Sequence, residues 1–131
     1  MTRYWDASAL VDALHDTNVE TKALEPGQVT RVHTLAETFS TLTGGRLGFQ
    51  YLPDDAAALI AEMTADFVFV ELTEAEVKAA LATAQQRGVR GGRVHDLLHA
   101  IAAQKARVAE VVTDNISDFE GLTGNIPIRR P

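Results

Sequence analysis

Four acidic residues stand where a carboxylate is costly, at the ends of apolar runs or inside them. They are Asp6, Glu37, Asp96 and Asp114. An ionised carboxylate that is removed from water needs a compensating partner, and few cations flank these positions in the sequence. Carboxylate oxygens are the ligands that Mg²⁺ and Mn²⁺ prefer. These residues therefore predict a site for a divalent metal ion.

The composition narrows the class of protein. The 131 residues suit one domain at positions 1–131, and the hydrophobic fraction of 46% is typical of a globular protein. The net charge of −6 disfavours a nucleic-acid scaffold, but less so an enzyme that contacts nucleic acid through bound metal. The absence of cysteine excludes disulfides and thiolate metal sites. Since there is no signal segment and no apolar run near the roughly 20 residues that span a membrane, we expect a cytoplasmic protein without a membrane partner.

Short apolar runs alternate with helix-like patterns along the chain. Strands are predicted at 4–6, 28–31, 67–70, 110–113 and 126–128. The third run is typical of a buried strand, and the proline in the last indicates an edge strand. Part of 16–27 is predicted to be loop and 115–119 a turn. Helices are predicted at 8–15 with Ser8 as the N-cap, at 33–43, at 53–66, at 73–87 with a Thr73–Glu76 capping box, and at 94–105.

The alternation of strands and helices predicts an α/β fold, a three-layer α/β/α sandwich with a mainly parallel central sheet. In such a sheet the carboxyl ends of the strands lie along one edge, where ligands bind. Asp6 and Asp114 follow predicted strands, and Glu37 and Asp96 lie on helices that can reach the same edge. We therefore expect the four carboxylates to converge. Clustered carboxylates repel one another without metal, so one pKa should rise.

Four short segments carry the acids in an order that can be compared with known motifs. They are residues 6–10, 35–37, 96–103 and 112–119, the last of which contains Thr113, Asn115, Asp118 and Phe119. Together these segments resemble the motifs of the PIN-domain family, most closely those of the VapC-type ribonuclease toxins. The resemblance extends over nearly the whole chain.

The resemblance assigns the family's first three acidic positions to Asp6, Glu37 and Asp96. Its fourth acid falls on Asp114, with Asp118 as the rival. The set with Asp114 would be catalytic and would also bind Mg²⁺ or Mn²⁺, either as one ion or as two ions roughly 3.5–4 Å apart. The neighbours of the pocket that the same motifs imply are Ser8, Thr113 and Asn115.

The resemblance also implies a function. It indicates a metal-dependent endoribonuclease that acts as the toxin of a type II toxin–antitoxin pair and hydrolyses RNA to block translation. Its implied partners are an antitoxin protein, an RNA substrate and a second copy of the chain. The net charge of −6 suits a cationic antitoxin segment, because opposite potentials favour association. The candidate contacts for RNA phosphates are Arg46, Arg87, Arg90, Arg93 and Lys105.

Two alternatives remain open on the sequence. The first is a PIN-like regulatory or binding module without catalytic activity. The second is an HD-type phosphohydrolase, because His33, His95-Asp96 and Asp114 follow the order of that family, although the apolar strand runs disfavour its all-helical fold. His95 and His99 also have the spacing of zinc ligands on one helix face, but no third ligand is evident, so zinc is disfavoured.

Overall fold

The computed structural model describes residues 1–48 and 50–131, in which a single sheet is flanked by helices. Its strands are β1 (Arg3–Trp5), β2 (Gln28–Thr30), β3 (Val68–Phe69), β4 (Glu110–Val112) and β5 (Ile128–Arg129). Its helices are α1 (Ala7–Ala13), α2 (Thr17–Ala23), α3 (Val32–Gly44), α4 (Pro53–Met63), α5 (Glu74–Ala82), α6 (Val94–Ala106) and α7 (Ile116–Phe119). A 3-10 turn, Gly91–Arg93, leads directly into α6. None of these helices is long and apolar enough to cross a membrane.

The strands are ordered β3-β2-β1-β4-β5, and every neighbouring pair is parallel. β1 is central, since Tyr4 pairs with Val29 of β2 on one side and with Val111 of β4 on the other. From β1 the chain adds β2 and β3 on one side of the sheet, and it then crosses to the other side of β1 to add β4 and β5. This order creates a topological switch point between β1 and β4, where ligands commonly bind. The predicted parallel α/β sheet is confirmed, and Asp6 leaves β1 beside that switch point.

Alternating side chains of the short strands enter two separate apolar layers. Tyr4 and Val111 pack with residues of α5, α6 and α7 on one face of the sheet. Trp5 and Val112 pack with residues of α1 and α2 on the other face. The division follows from the two-residue period of a β-strand. It produces the three-layer α/β/α arrangement expected from the sequence, with Trp5 fully buried in one of the two layers.

The start of α1 differs from the prediction in a way that affects the site. The N-cap is Asp6 and not Ser8: Asp6 Oδ1 accepts a hydrogen bond from the backbone N–H of Ala9 at 2.9 Å. Ser8 lies in the first turn of α1, where its hydroxyl donates to the same Asp6 Oδ1 at 2.7 Å. Aspartate caps a helix as well as serine does. Because β1 ends at Trp5, the chain delivers Asp6 to the capping position.

Three other segments depart from the predictions. Within 16–27 the chain forms α2, because the Asp16 carboxylate caps it and Val19 and Ala23 are buried. β3 is an edge strand rather than a buried one, and Val68 is 59% exposed. The turn predicted at 115–119 contains the one-turn helix α7. A short apolar run has no period that distinguishes a central strand from an edge strand, so the error at β3 is a limit of local sequence patterns.

Candidate active site

A cleft of about 630 Å³ opens where the chain leaves β1 and β4, at the switch point of the sheet. Segments that are distant in sequence line it: the β1–α1 turn, α1, α3, the first turns of α6 and the loop after β4. A concentration of carboxylates makes such a cleft strongly negative. The acidic side chains that line it are Asp6, Asp12, Glu37, Asp96 and Asp114. The structure thus brings the four acids of the sequence analysis together, while their catalytic and metal-binding roles stay predictions.

Asp6 is the most enclosed of these carboxylates, with a relative exposure of 5%. Its Oδ1 accepts hydrogen bonds from the Ser8 hydroxyl and the Ala9 N–H, and its Oδ2 accepts one from the Thr113 hydroxyl at 2.6 Å. Burial raises the pKa of Asp6, and the hydrogen bonds from Thr113, Ala9 and Ser8 oppose that rise. Asp6 is therefore held in one orientation in surroundings that disfavour its charge, where a bound cation would stabilise it strongly.

Two hydroxyl groups join the turn after β1 to the loop after β4. Ser8 Oγ lies 3.3 Å from Thr113 Oγ1. The backbone N–H of Asp114 donates to Ser8 Oγ at 3.0 Å, and the N–H of Asn115 donates to Thr113 Oγ1 at 3.0 Å. These bonds fix the backbone that carries the Asp114 side chain. Ser8 and Thr113 thus bond to the Asp6 carboxylate and Asn115 bonds to Thr113, while their role as neighbours of a metal pocket stays a prediction.

Asp96 lies in the first turn of α6 and is half-buried. Burial raises the pKa of Asp96 to about 6, and the charge of Asp118 acts in the same direction, followed by those of Asp6 and Glu37. A rise of this kind is what clustered carboxylates produce. Asp118, the rival fourth acid, is exposed and acts on Asp96 through its charge. Asp114 instead belongs to the cleft wall.

Asp12 is a cleft residue that the sequence reasoning missed. It lies four residues after Ser8 on α1, so both side chains are on the face of the helix that lines the cleft. Burial raises the pKa of Asp12 to about 7, with a further rise from its hydrogen bond to Asp114 and from the charge of Asp114. Asp114 is therefore the neighbour that adds most to the effect of burial on Asp12. The i, i+4 spacing from Ser8 was the signal that could have identified Asp12.

Glu37 interacts with three imidazole side chains as well as with the Asp96 carboxylate. His99 Nε2 lies 2.8 Å from Glu37 Oε1, and His99 Nδ1 lies 2.6 Å from the Tyr4 hydroxyl. Burial opposes the charge of Glu37, but the hydrogen bond from His99 and the charges of His99, His33 and His95 outweigh it and lower the pKa of Glu37. Burial raises the pKa of Tyr4, so its phenol is protonated and donates to Nδ1. His99 then donates from Nε2 to Glu37.

This chain of buried hydrogen bonds was absent from the sequence analysis. Tyr4 and His99 are 95 positions apart, and no local pattern pairs them. The zinc interpretation that joined His95 to His99 is not supported, because His99 is buried and turned toward Tyr4 and Glu37. The HD-type alternative is excluded by the five-stranded parallel sheet, since that family is all-helical.

The side chains of His33, which lines the cleft, and of His95 are both exposed. Their rings stack with centroids 5.8 Å apart and an interplanar angle of 18°. Donor atoms of His33, His95 and Glu37 all lie within 4.8 Å of one another. The structure thus places Glu37, which the sequence analysis had assigned to the carboxylate set, beside the imidazoles of His33 and His95 as a third possible metal ligand.

The predicted RNA contacts lie in different places. Arg46 lines the cleft. Arg87 and Arg90 are exposed outside the cleft wall, and Arg93 donates to three backbone carbonyls of neighbouring loops at 3.3 to 3.4 Å. Lys105 is engaged in an ion pair with α5. Contact with RNA stays a prediction for all five residues.

The donor set of the cleft suits a hard divalent cation. Asp6, Asp96 and Asp114 offer carboxylate oxygens from three separate segments, and Mg²⁺ and Mn²⁺ prefer such ligands. The raised pKa values of Asp6 and Asp96 show that the surroundings disfavour the anionic forms of these acids. A cation removes that penalty by neutralising the charges. The chemistry of these donors is compatible with Mg²⁺ or Mn²⁺, and binding of either ion to Asp6, Asp96 and Asp114 stays a prediction.

Comparison with known proteins supports the fold. No protein-family model matches the chain, and no curated protein matches it in sequence. The crystal structure of PAE2754 from Pyrobaculum aerophilum is similar, with a TM-score of 0.73 and 16% identity over 98% of this chain and 89% of that chain. The structure of VapBC-1 from nontypeable Haemophilus influenzae has a TM-score of 0.63 and 17% identity over 99% and 98%. At these identities the similarity shows the fold alone, and the predicted PIN-like fold is confirmed.

Proposed function

We propose that this protein is a metal-dependent endoribonuclease and the toxin of a type II toxin–antitoxin pair, which hydrolyses RNA phosphodiester bonds to block translation. The observation that carries the proposal is the meeting of Asp6, Glu37, Asp96 and Asp114 in one cleft at the switch point of a PIN-like sheet. The similarity in fold to the toxin–antitoxin structure VapBC-1 adds support.

The carboxylates would divide the work of holding the ion. Asp6 and Asp96 would be direct ligands of Mg²⁺ or Mn²⁺, with Glu37 and Asp114 completing the set. When bound, one or two such ions orient an attacking water, stabilise the charge that develops on the phosphate and assist departure of the leaving oxygen. The contribution of the chain is to position these groups in advance, which lowers the reorganisation needed during the reaction.

Two sets of hydrogen bonds provide that positioning. The hydroxyls of Ser8 and Thr113 donate to opposite oxygens of Asp6 and fix the plane of its carboxylate. His99 donates to one oxygen of Glu37 and fixes the other acid. Arg46 on the cleft wall would contact a phosphate of the bound RNA, while Arg87, Arg90 and Arg93 would contact the backbone farther from the cleavage point.

The test is RNA cleavage by purified protein in Mg²⁺ or Mn²⁺. Asp6→Asn and Asp96→Asn replace a carboxylate by a neutral amide of similar size, and each should lower the cleavage rate by at least roughly 100-fold. Asp66→Asn is the matched control, because Asp66 is exposed and lies outside the cleft wall, and it should cleave at the wild-type rate. Circular dichroism verifies that the variants keep the fold.

Undiminished cleavage in both Asp6→Asn and Asp96→Asn would contradict the catalytic role. Growth arrest that persists in both variants in cells, with binding of the antitoxin retained, would favour the regulatory or binding module instead. The activity would act on RNA in the cytoplasm.

The proposed protein partners are an antitoxin and a second copy of the chain. The net charge of −6 and the acidic cleft suit a partner with a basic segment. Co-expression with the product of the adjacent reading frame should yield a complex that survives purification and no longer cleaves RNA. Light scattering of the protein alone should give the mass of a dimer. A monomer that the neighbouring product neither binds nor inhibits would contradict both partners.

A further inference from the structure

A second group of potential metal-binding side chains lies where the rings of His33 on α3 and His95 on α6 contact each other, beside Glu37. We call it the histidine group, and it consists of His33 and Glu37 on α3 and His95 on α6. His33 and Glu37 are four residues apart, so successive turns place them on one helix face. One donor atom from each of the three side chains lies within 4.8 Å of the other two donors.

The imidazole nitrogens of this group are available for coordination. His33 and His95 contact each other through their ring faces, and within residues 1–48 and 50–131 neither ring makes a hydrogen bond. Both side chains are exposed and can change rotamer at little cost. Tetrahedral ligands with bonds of about 2.1 Å to Zn²⁺ lie about 3.4 Å apart, so coordination would require the donors, now within 4.8 Å of one another, to adjust by rotation of these side chains.

The carboxylate of the group is already oriented. Buried His99 bridges the Tyr4 hydroxyl, at 2.6 Å, and Glu37 Oε1, at 2.8 Å. Carboxylates that bind metal are commonly held by an outer hydrogen bond of this kind, which fixes the direction of their lone pairs. Because His99 engages Oε1, Oε2 remains for a cation. In this group, three potential metal-binding donors therefore occur together with a hydrogen bond that orients one of them.

We infer that His33, Glu37 and His95 bind a first-row transition-metal ion of the Zn²⁺ type, separate from the Mg²⁺ or Mn²⁺ of the carboxylate cleft. Two imidazoles and one carboxylate form an open zinc site whose fourth position is left for water or another small ligand. Imidazole nitrogen favours zinc-type ions over Mg²⁺, which prefers oxygen. The two sites therefore select different metals although they are adjacent.

Glu37 belongs to both sites, and this couples them. An ion in the histidine group withdraws the Glu37 carboxylate from the acidic set, so it lowers the affinity of that set for its own cation. By linkage, the cation of the acidic set weakens zinc-type binding by the same factor. A zinc-type ion would thus restrain the enzyme. This consequence rests on the proposed function, whereas binding to the histidine group does not.

The binding test uses metal-free protein that carries Asp6→Asn, which weakens the carboxylate site, with Co²⁺ as a coloured probe in excess Mg²⁺. We expect the visible absorption of low-coordinate Co²⁺, which equimolar Zn²⁺ removes. His33→Ala and His95→Ala should each weaken Co²⁺ binding by roughly 100-fold. His15→Ala is the matched control, because the His15 ring lies outside the group and bonds to Tyr51. Thermal melts verify that each variant is folded.

Absence of the Co²⁺ absorption, or absorption unchanged in both His33→Ala and His95→Ala, overturns the proposal. Neither result depends on RNA cleavage, so failure of this inference and failure of the nuclease proposal are distinguishable. For the coupling, Mn²⁺ binding to otherwise wild-type protein is followed by electron paramagnetic resonance. Equimolar Zn²⁺ should weaken Mn²⁺ binding at least roughly tenfold, and less than twofold in His33→Ala. If Zn²⁺ weakens Mn²⁺ binding equally in the wild type and in His33→Ala, the proposed competition for Glu37 is overturned.

Discussion

The two halves of the cleft treat their carboxylates in opposite ways. By the inner half we mean the four aspartates Asp6, Asp12, Asp96 and Asp114, and by the outer half Glu37 with the imidazoles of His33, His95 and His99 that act on it. In the inner half the pKa values of Asp6, Asp12 and Asp96 are raised, the last two to about 7 and about 6. In the outer half the pKa of Glu37 is lowered. One cleft therefore contains acids that resist ionisation beside an acid that favours it.

The difference shows that neighbours can reverse the effect of burial on the pKa of a carboxyl group. Asp96 and Glu37 are both partly buried, and burial favours the neutral form of each. Asp96 has Asp118 among its neighbours, whose charge adds to the effect of burial. Glu37 has His99, whose hydrogen bond and charge reverse it. The inner half is thus suited to a hard cation that neutralises repulsion, whereas the outer half surrounds its acid with imidazole side chains.

The largest expected difference between the two halves is in how much a divalent metal ion raises the Tm of variants from each half. At pH 8, Mn²⁺ at about 100 times its dissociation constant should stabilise the wild type by about 2.7 kcal/mol. For a chain of this length that is a rise in Tm of about 10 °C. Asp6→Asn should lose most of this rise because it removes an inner ligand, whereas His33→Ala should keep it. Differential scanning calorimetry gives the comparison, and a Tm unchanged by millimolar Mg²⁺ and Mn²⁺ would count against the inner site.

The hydroxyl support of the inner half should be the next largest contribution. Thr113→Val removes the donor to Asp6 Oδ2 and the acceptor for the Asn115 N–H without a large change in shape. Buried polar groups left unpaired in this way should lower the free energy of unfolding by about 2 kcal/mol. Thr21→Val, an exposed hydroxyl on α2, should change it by less than about 0.5 kcal/mol. Urea denaturation measures both, and equal effects would show that the inner network contributes nothing special.

The opposite pKa shifts predict opposite signs for two neutral substitutions in metal-free protein. The pKa of Asp96 is raised on folding, so its contribution becomes destabilising as pH rises from about 4 to about 6 and stays so above that range. The pKa of Glu37 is lowered, so its contribution is stabilising above its unfolded value and is lost as pH falls through its folded value.

At pH 8, Asp96→Asn should therefore raise Tm, and Glu37→Gln should lower it. Below pH 4 both differences should shrink, because the wild-type carboxyls become protonated. Melting curves across this pH range with a chelator give the result. Changes in Tm of the same sign in Asp96→Asn and Glu37→Gln at pH 8 would contradict the electrostatic difference between the two halves.

The smallest expected effect is that of single arginine substitutions on RNA affinity. The comparison indicates whether RNA binds beside the cleft wall or elsewhere. Arg46 lies just beyond α3 on the cleft wall, whereas Arg87 lies outside it. Arg46→Ala should weaken binding of an uncleaved RNA about fivefold and reduce the salt slope by about 1, as loss of one phosphate contact does. Arg87→Ala should weaken it by about twofold at most. Fluorescence anisotropy in Ca²⁺ measures both, and a larger effect for Arg87 would place the RNA path elsewhere.

Local sequence signals accounted for the elements that position the site. The helices carrying Glu37 and Asp96 were predicted to within a residue or so of α3 and α6, because Gly45 ends the first in a left-handed conformation and glycines precede the second. The predicted capping box of Thr73 and Glu76 is present at α5. The alternation of apolar runs and helices also indicated the parallel sheet. Each of these signals lies within a few residues of the helix end or strand that it predicts.

Errors occurred where a residue's role depends on distant neighbours. Ser8 was predicted as the cap, but the hydrogen bond of Asp6 to Thr113 and the end of β1 together put Asp6 there. Val68 was expected to be buried, yet β3 is an edge strand of the sheet and the Val68 side chain is 59% exposed. Asp12 was overlooked although its spacing from Ser8 was visible, because only its pairing with Asp114 makes it notable.

The sequence by itself determined which chemical groups are present, the order in which they occur, and the type of fold that gathers strand ends along one edge. The tertiary structure alone decided which groups became neighbours. Asp6 meets Thr113 across 107 positions and Tyr4 meets His99 across 95. The energy of a charge depends on the few ångströms around it, and those ångströms are filled by residues from remote parts of the chain. For that reason the acids could be named from the sequence, but their opposite protonation behaviour and the histidine group could not.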